Sequence, residues 1–246
     1  MVKNKTGKYL KYAIGEIALV IIGILLALQI NNWNQGQSDR KKEVTILKEL
    51  QKEFEENSIR YAETIKRQAS ALKSTQSFLL CLEKKDLNYK RDSIARFIFT
   101  GPFNYYRAEP VLGTYQSINA SGDISLIQNA LLKSKLAAFS SEISQGFEDE
   151  TNSMNLLNLL HVEFSSIVEP LMTTEDRKLF GLKQPQNTNI EYQNNVLSKL
   201  YQNPNIMSPL IYRKMLEYNR LTLQTKMLTY SDEIIDLIRD ELKTEK

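Results

Sequence analysis

Hydrophobic residues form one dense run near the N-terminus of this chain and several helical stripes after it. The run extends from Tyr12 to Ile30, contains one charge, Glu16, and from Ile17 onward holds ten Ile, Leu or Val residues. A helix of this length reaches about 28 Å, close to the roughly 30 Å hydrocarbon core of a bilayer. Each of the ten side chains favours insertion by about 0.3 to 0.6 kcal/mol, which outweighs the cost of one charge near the end of the run. We therefore predict a transmembrane helix.

The stripes that follow recur at spacings of three, four and seven residues, which is typical of amphipathic helices. They predict long helices from Ser38 or Asp39 to about Lys85, from Asn129 to Glu169, where Pro170 ends the helix, and from about Met207 to Lys243. The apolar side of the last helix is expected to carry Leu210, Ile211, Met215, Tyr218, Leu221, Leu228, Ile235, Ile238 and Leu242. No β-strand pattern of any length occurs. The predicted fold class is all-α, with one N-terminal transmembrane helix followed by an extended helical bundle with three long helices.

Shorter elements are expected between the long helices. One helix begins at Asp92 or Ser93 and ends at Phe99, and another is expected near Glu191 to Tyr201. A third covers Val111 to Ala120, after which Gly122 suits a left-handed helix terminus.

The stretch from Phe103 to Gly113 is the least periodic part that follows the apolar run. It combines aromatic rings with charges, at Tyr105, Tyr106, Arg107 and Glu109. Such a loop is either the wall of a ligand site or a cap that closes one end of a helical bundle. We favour the cap.

The residues that flank the apolar run predict its orientation. Four lysines precede it without an acidic residue among them, whereas the basic residues that follow are mixed with acids; the lysines are Lys3, Lys5, Lys8 and Lys11, and the mixed group is Asp39, Arg40, Lys41, Lys42 and Glu43. The lysine-rich side of a span stays in the cytoplasm. Tyr9, Tyr12 and Trp33 are the expected interfacial anchors. We predict a cytoplasmic tail at 1–11, a transmembrane helix at 12–33 and an extracytoplasmic α-helical domain at 34–246.

A cleaved signal peptide is the alternative interpretation of the same segment, with Gly36 and Ser38 as the small residues of a cleavage site. Gly36 and Ser38 lie six and eight residues beyond Ile30, and Trp33 stands between Ile30 and this pair. The run is also longer than the usual apolar region of about 7 to 15 residues. A retained signal anchor fits better.

The N-terminal segment resembles the signature of a known family. The residues that carry the resemblance are Lys11 to Ile17, Val20, Ile22 to Leu25 and Ala27 to Asn34, with a shorter match at Thr114, Tyr115, Ser117, Ile118, Ser121, Gly122, Leu126 and Ile127. They are similar to an uncharacterised family of bacteroidete single-pass membrane proteins, a domain of unknown function. The resemblance implies a bacterial inner-membrane protein whose helical domain is periplasmic. It implies no catalytic residue, because that family has no assigned activity.

Charge and cysteine content exclude a nucleic-acid binder and a domain stabilised by intramolecular disulfides. The formal net charge is +3, and the four N-terminal lysines and Glu16 account for all of it. The rest of the chain is balanced and lacks the basic surface of a nucleic-acid binder, so no nucleic-acid partner is expected. Cys81 is the single cysteine, so no intramolecular disulfide can form, and its apolar neighbours predict a buried, inert thiol.

The sequence offers little that could carry out a reaction. His161 is the only histidine, which excludes metal motifs with two histidines and the usual nucleophilic triads. Gly101, Gly113 and Gly122 are isolated, so no phosphate-binding loop is predicted. We expect no enzyme, no catalytic residue, no cofactor and no metal site. A lone histidine on an apolar stripe is interpreted as a satisfied boundary residue.

The apolar run itself holds the candidate contact residues. Glu16 is either a functional intramembrane group or a side chain that reaches the cytoplasmic headgroups. Gly23 and Ala27 form a small-xxx-small pair, and Gly15 extends the same four-residue row. The predicted partners are the lipid bilayer and a second copy or another membrane protein that contacts this helix.

The function predicted from these observations is binding or scaffolding at the cell envelope through a partner protein. The alternative is an extracytoplasmic small-ligand sensor, which needs a membrane partner because a tail of eleven residues has no room for an output domain. An enzyme that acts on envelope polymers would need a cleft lined by paired carboxylates. A closed bundle would favour scaffolding, and a roomy internal pocket would favour sensing.

Overall fold

The computed structural model describes residues 6–145, 150–184 and 189–243, with side chains from Ile14 onward except those of Gln145 and Val168. This part of the chain contains α-helices, one short 3-10 helix at Asp123–Leu126 and no β-strand. The α-helices are α1 Thr6–Lys84, α2 Arg91–Thr100, α3 Gly113–Ser121, α4 Ala130–Gln145, α5 Glu150–Phe164, α6 Val168–Leu171, α7 Thr174–Leu179, α8 Ile190–Gln202 and α9 Met207–Lys243. The predicted all-α fold class is confirmed.

α1 is one helix of 79 residues that contains both the apolar run and the first amphipathic stripe. The prediction of a new helix start at Ser38 or Asp39 is wrong, because the helix continues through residues 31–40. These residues are polar but include no proline, and a Cβ at Gly36 would meet no atom within 4 Å. Nothing therefore interrupts the backbone hydrogen bonds where the apolar run ends.

α9 lies antiparallel along α1, and the two helices form the centre of the bundle. Their side chains pair in opposite order: Arg40 with the carbonyl of Glu241 at 3.2 Å, Ser58 with Asp232 at 2.7 Å, and Gln68 with the carbonyl of Glu217 at 2.9 Å. Buried positions in α9 alternate at spacings of three and four residues, the period of a coiled coil. The residues in this alternation are Leu210, Arg213, Glu217, Arg220, Gln224, Met227, Ser231, Ile234 and Ile238, and Ile235 is buried beside them.

Two further arms complete the bundle. From α2 the chain returns along α1 through residues 102–112, which form no helix or strand and which we call the extended segment for their course along α1. It continues through α3 and the 3-10 helix until Gln128 N donates to Glu43 at 2.6 Å. α4 and α5 then run beside α9, where Lys135 pairs with Glu233 and Lys226 with Glu142, both at 2.6 Å. α8 covers the end of the bundle far from the apolar run.

Two apolar clusters fill the bundle on either side of a polar layer. The cluster nearer the apolar run includes Leu47, Leu50, Phe54, Leu132, Leu136, Phe139, Ile234 and Ile238. The far cluster includes Phe78, Cys81, Ile94, Ile98, Leu160, Phe164, Leu197 and Leu200. Cys81 is therefore buried, as predicted. Between the clusters, the buried positions of α1 and α9 hold polar and charged side chains such as Gln68, Arg213 and Gln224.

The second predicted long helix differs from the structure at its end. The structure has α4 and α5 in this stretch, and Gly146 and Phe147 lie outside the described residues. α5 ends at Phe164, so the prediction that Pro170 ends this helix is wrong. Pro170 lies inside the short helix α6, within its first turn, where a proline lacks no helical hydrogen bond. By contrast, Gly122 has φ of 83° and is the left-handed terminus that was predicted.

The predicted apolar side of α9 is partly wrong, although the helix has the expected bounds. Ile211, Met215 and Tyr218 are 53%, 52% and 62% exposed. The buried positions follow the phase that Leu210, Met227 and Ile234 share, and this phase places two arginines, a glutamate and a glutamine inside. Ile211, Met215 and Tyr218, in the first half of α9, therefore face away from the bundle.

The end of α2 supplies a test of this packing. A Cβ at Gly101 would lie 2.8 Å from the backbone nitrogen of Thr75 and 2.5 Å from the carbonyl oxygen of Phe97. Backbone atoms cannot rotate away as a side chain can, so Gly101→Ala should lower the free energy of unfolding by about 1–3 kcal/mol. Gly36→Ala is the control, since its Cβ meets open space and should stabilise the helix by about 0.5–1 kcal/mol. Urea unfolding of the detergent-solubilised chain, followed by circular dichroism, measures both, and equal effects would contradict the packing of α2 on α1.

Candidate functional site: an exposed apolar helix and a buried polar layer

The first part of α1 is an apolar helix that the rest of the described chain does not cover. From Ile14 to Ile30 its large apolar side chains are 51% to 74% exposed. An 18-residue window has a mean hydropathy of 2.2, and none of it is buried. Among the described residues, this is the one helix long and apolar enough to cross a membrane.

The residues predicted to mediate contacts in the membrane lie on this uncovered part. Glu16 and Ala27 are exposed, and a Cβ at Gly15 or Gly23 would meet no atom within 4 Å. The structure of one chain thus leaves their row open to other molecules. Trp33, a predicted interfacial anchor, is 65% exposed. The side chains of the other two, Tyr9 and Tyr12, lie outside the described residues.

The extended segment at residues 102–112 runs along the bundle beside α1 and α9, with Pro102 and Ala108 buried and most of its other residues half-buried. It starts after Gly101, next to Thr75, and ends before Thr114, whose N–H donates to Glu53 at 2.6 Å. The prediction that these residues close one end of the bundle is therefore wrong. An extended chain has no helical partners for its N–H and C=O groups, so neighbouring groups must supply the hydrogen bonds.

Two buried amides supply part of these hydrogen bonds. Asn57 accepts from the N–H of Val111 at 2.6 Å and donates to its carbonyl at 2.8 Å. Gln224 accepts from the N–H of Ala108 at 2.6 Å. Asn57 and Gln224 are both fully buried. Both amides therefore satisfy backbone groups of the segment, and an unpaired N–H at the buried Ala108 would cost about 1–3 kcal/mol.

Arg213 joins the segment to both α9 and α5. Its guanidinium is fully buried and donates to the carbonyls of Pro102 at 2.6 Å, Asn104 at 2.8 Å and Ser153 at 3.0 Å, and to Oγ of Ser153 at 2.7 Å. Burial lowers the pKa of the Arg213 guanidinium, and the carboxylate of Glu217 opposes that shift. An arginine suits this position because its planar fork can reach several oxygens at once.

Glu217 balances two buried arginines. Its carboxylate lies 3.3 Å from the guanidinium of Arg213 and 2.7 Å from that of Arg220. Gln68 donates to the same carboxylate at 3.0 Å, and the guanidinium of Arg220 stacks 4.0 Å from the ring centre of Tyr105. Glu217 therefore contacts both arginines, and a ring of the extended segment is a further contact of Arg220.

The polar layer leaves no room for a ligand. The hollow beside Gln68, Asn104, Arg213 and Glu217 measures about 10 Å³. A single water molecule needs at least about 10–15 Å³. The side chains of the layer thus pair with one another and with the backbone of residues 102–112, and their role here is structural.

An open groove between α1 and α9 brings three carboxylates together, those of Glu55, Asp232 and Asp236. Its volume is about 550 Å³. A hydrogen bond from Gln51 lowers the pKa of Glu55, with a further contribution from Arg239 at 2.9 Å. A carboxyl group that acts as a general acid needs a raised pKa, which is the opposite direction. Glu55 therefore lacks the character that a general acid in an envelope hydrolase requires.

His161 and Cys81 have the surroundings of structural residues. The imidazole of His161 is exposed on one side and lies against the ring of Phe103, with 4.9 Å between ring centres. Burial raises the pKa of the Cys81 thiol, and a hydrogen bond with Tyr89 opposes that shift. A buried thiol with a raised pKa is a poor nucleophile.

Comparison with known proteins places the chain in a family. Residues 16–142 match the model of a family of unknown function (DUF6090), and this is just over half of the chain. The chain belongs to this family. No curated protein and no solved structure matches it. The family match covers most of the apolar helix, the rest of α1 and the chain through α2, the extended segment, α3 and most of α4.

The family match bears on the resemblance seen in the sequence. Membership of an uncharacterised family is confirmed, whereas bacteroidete origin and a single-pass topology stay predictions. The charged positions of α9 lie outside the matched residues. Nothing in the local sequence of α9 marks Arg213, Glu217 and Arg220 as buried. The signal that could have revealed them is longer in range: Leu210, Met227, Ile234 and Ile238 fit one alternation of three and four residues, and the charged positions fall on it.

Removal of the shared carboxylate tests the polar layer. Glu217→Gln keeps the shape of the side chain but removes a buried carboxylate that contacts two buried arginines, so the free energy of unfolding should fall by about 3–5 kcal/mol. Glu56→Gln is the control, because Glu56 pairs with Arg60 at 2.7 Å where both side chains are nearly half exposed. An exposed pair contributes about 0–1 kcal/mol. Chemical unfolding of the two variants would contradict the proposed layer if Glu217→Gln changed stability no more than Glu56→Gln.

Proposed function

We propose that this protein is anchored in a membrane by the apolar part of α1 and presents its helical bundle as a binding or scaffolding unit at the cell envelope. The observation that carries this proposal is the apolar surface from Ile14 to Ile30, exposed on every side of the helix. Apolar surface favours leaving water by about 25 cal/mol per Å². Since no other described part of the chain covers this surface, a bilayer is the environment that suits it.

The flanking charges support the direction of insertion. The charged side chains before the span are all lysines, whereas the basic residues after it are mixed with acids. The positive side of a span stays in the cytoplasm. The bundle would then lie outside the cytoplasm, and for a bacterium with two membranes the compartment is the periplasm.

The continuity of α1 supports a scaffold. Because the helix does not break after the apolar run, the axis of the span continues into the bundle. From Asn34 to Lys84 the helix reaches about 76 Å at 1.5 Å per residue. A binding surface on the bundle is thereby held at a fixed height above the membrane.

The alternative, a small-ligand sensor that acts through a membrane partner, has less support. A sensor of this kind encloses its ligand in a pocket of about 300–1,000 Å³. The hollow at the polar layer measures about 10 Å³, and the carboxylate groove between α1 and α9 is open to solvent. Binding through the outer surface of the bundle fits these dimensions better.

The orientation can be tested with a fusion. A reporter enzyme that is active only outside the cytoplasm, joined after Lys246, should be active and remain in the membrane fraction. Replacement of Lys3, Lys5, Lys8 and Lys11 by glutamate should lower its activity, because the positive flank is lost. A soluble product that begins near Asp39 would show cleavage and contradict the anchor.

Trp33 is the only tryptophan, so its fluorescence reports the outer end of the span alone. In lipid vesicles we expect a partly shielded indole that quenchers at headgroup depth affect more than quenchers at the bilayer centre or in water. Strongest quenching from the bilayer centre would place Trp33 inside the membrane. Free access to a water-soluble quencher, without any lipid effect, would place it in the soluble domain.

A further inference from the structure

α9 carries a second regular seam on the side that faces solvent. Its members alternate at spacings of four and three residues, the same period as the buried positions of this helix. They are Ile211, Met215, Tyr218, Thr222, Thr225 and Thr229, and all six are exposed. We call these six residues the outer seam.

The outer seam presents apolar contacts along its whole length. Ile211, Met215 and Tyr218 are more than half exposed. The hydroxyls of Thr222, Thr225 and Thr229 donate to carbonyls four residues earlier in α9, at 3.1, 2.8 and 3.2 Å. Their methyl groups are therefore the part left to meet another molecule, and a partner helix would not bury an unpaired hydroxyl there.

Within residues 14–145, 150–184 and 189–243, the bundle leaves the outer seam exposed. α1 packs on the side of α9 that holds Glu217 and Gln224, through Gln68. α4 packs on another side, where Lys226 pairs with Glu142. The outer seam lies between these two sides, on the remaining solvent-facing surface. α9 thus buries one series of residues with coiled-coil spacing in its own bundle and exposes a second series, the outer seam, to solvent.

We propose that the outer seam packs against the outer seam of a second copy of this chain, with the two α9 helices parallel and in register. This inference rests on the proposed membrane anchorage, which gives every copy the same orientation and keeps α9 of each along the same direction. Equal positions then meet equal positions. No charged residue occurs in the outer seam, so two copies in register bring no like charges together within it.

The residues that flank the outer seam are also compatible with a copy. In a parallel pair, flanking residues five positions apart face each other across the seam. This places Lys214 opposite Asn219, and Leu221 opposite Lys226, of the other copy. The amines of Lys214 and Lys226 already bond to Gln76 and Glu142 of their own chain. No lysine therefore faces a lysine.

The area of the outer seam indicates that the pairing needs the membrane. A strip about 28 Å long and 10 Å wide is smaller than the roughly 800 Å² per partner of a stable soluble interface. Anchorage confines the copies to two dimensions and raises their local concentration, which compensates for a small interface. A foreign partner protein, which the membrane need not hold at the same height and direction, would require a larger surface.

Disulfide crosslinking of the full-length chain in membranes tests the pairing. In a Cys81→Ala background, Thr222→Cys places a thiol in the outer seam, and Asn158→Cys places one on the exposed side of α5. Oxidation by copper phenanthroline should yield a covalent dimer from Thr222→Cys and little from Asn158→Cys. Adding Met215→Glu to Thr222→Cys puts a like charge into the seam and should reduce the dimer at least about tenfold.

Val162→Glu is the matched control, since Val162 is an apolar residue that is 69% exposed on α5. It should leave the dimer yield of Thr222→Cys unchanged. Equal yields from Thr222→Cys and Asn158→Cys, or no effect of Met215→Glu, would overturn the pairing while the chain still fractionates with membranes. A crosslink only to a protein of another mass would assign the seam to a different partner and overturn it too. Loss of the chain from the membrane fraction would instead contradict the proposed anchorage.

Discussion

The whole structure depends on the continuity of α1. One helix of 79 residues carries the exposed apolar surface at one end and a face of the bundle core at the other. The later arms pack along this helix or along its antiparallel partner α9: α2, the extended segment and α3 return along α1, and α4 and α5 run beside α9. Because no residue between Asn31 and Arg40 breaks the helix, the direction of the apolar end determines the direction of the bundle.

The polar layer follows from the extended segment. α1, α5 and α9 are helical where they meet at the polar layer. Residues 102–112 are not, so their backbone groups have no hydrogen-bond partners within a helix. Asn57, Arg213 and Gln224 form hydrogen bonds with these groups. The carboxylate of Glu217 forms ion pairs with Arg213 and Arg220. These hydrogen bonds require one alignment of α1 on α9, since a shift by one turn would separate Asn57, Arg213 and Gln224 from the backbone groups that they bond. The layer therefore selects the register that the two apolar clusters alone would specify less strictly.

Much of the helical architecture is predictable from the sequence because long stripes and stop signals are local. The bounds of α9, the left-handed Gly122 and the burial of Cys81 follow from periodicity and from neighbouring residues. The phase of α9 and the course of residues 102–112 do not, because they depend on partners from distant parts of the chain. Counting apolar residues assigned Ile211, Met215 and Tyr218 to the core, whereas Arg213 and Glu217 take that place once Ser153 and the segment supply their contacts.

The apolar part of α1 is recognisable as a candidate site, since its composition alone separates it from the rest of the chain. The outer seam was not, because the same residues form a plausible core stripe until the structure shows which side of α9 is covered. The two surfaces lie at different heights on connected helices, one within the proposed membrane span and one on the bundle far from it. The two surfaces together give the chain two separate places, along connected helices, where another molecule can pack.

The continuity of α1 across the end of the span is most directly tested by a distance measurement. Spin labels at Ile30→Cys and Lys48→Cys, in a Cys81→Ala chain in lipid nanodiscs diluted with unlabelled protein, lie on the same side of the helix, five turns apart. An unbroken helix predicts one narrow distance distribution near about 27 Å. A broad distribution, or a distance well below this value, would show a break between membrane and bundle and would contradict the single continuous helix.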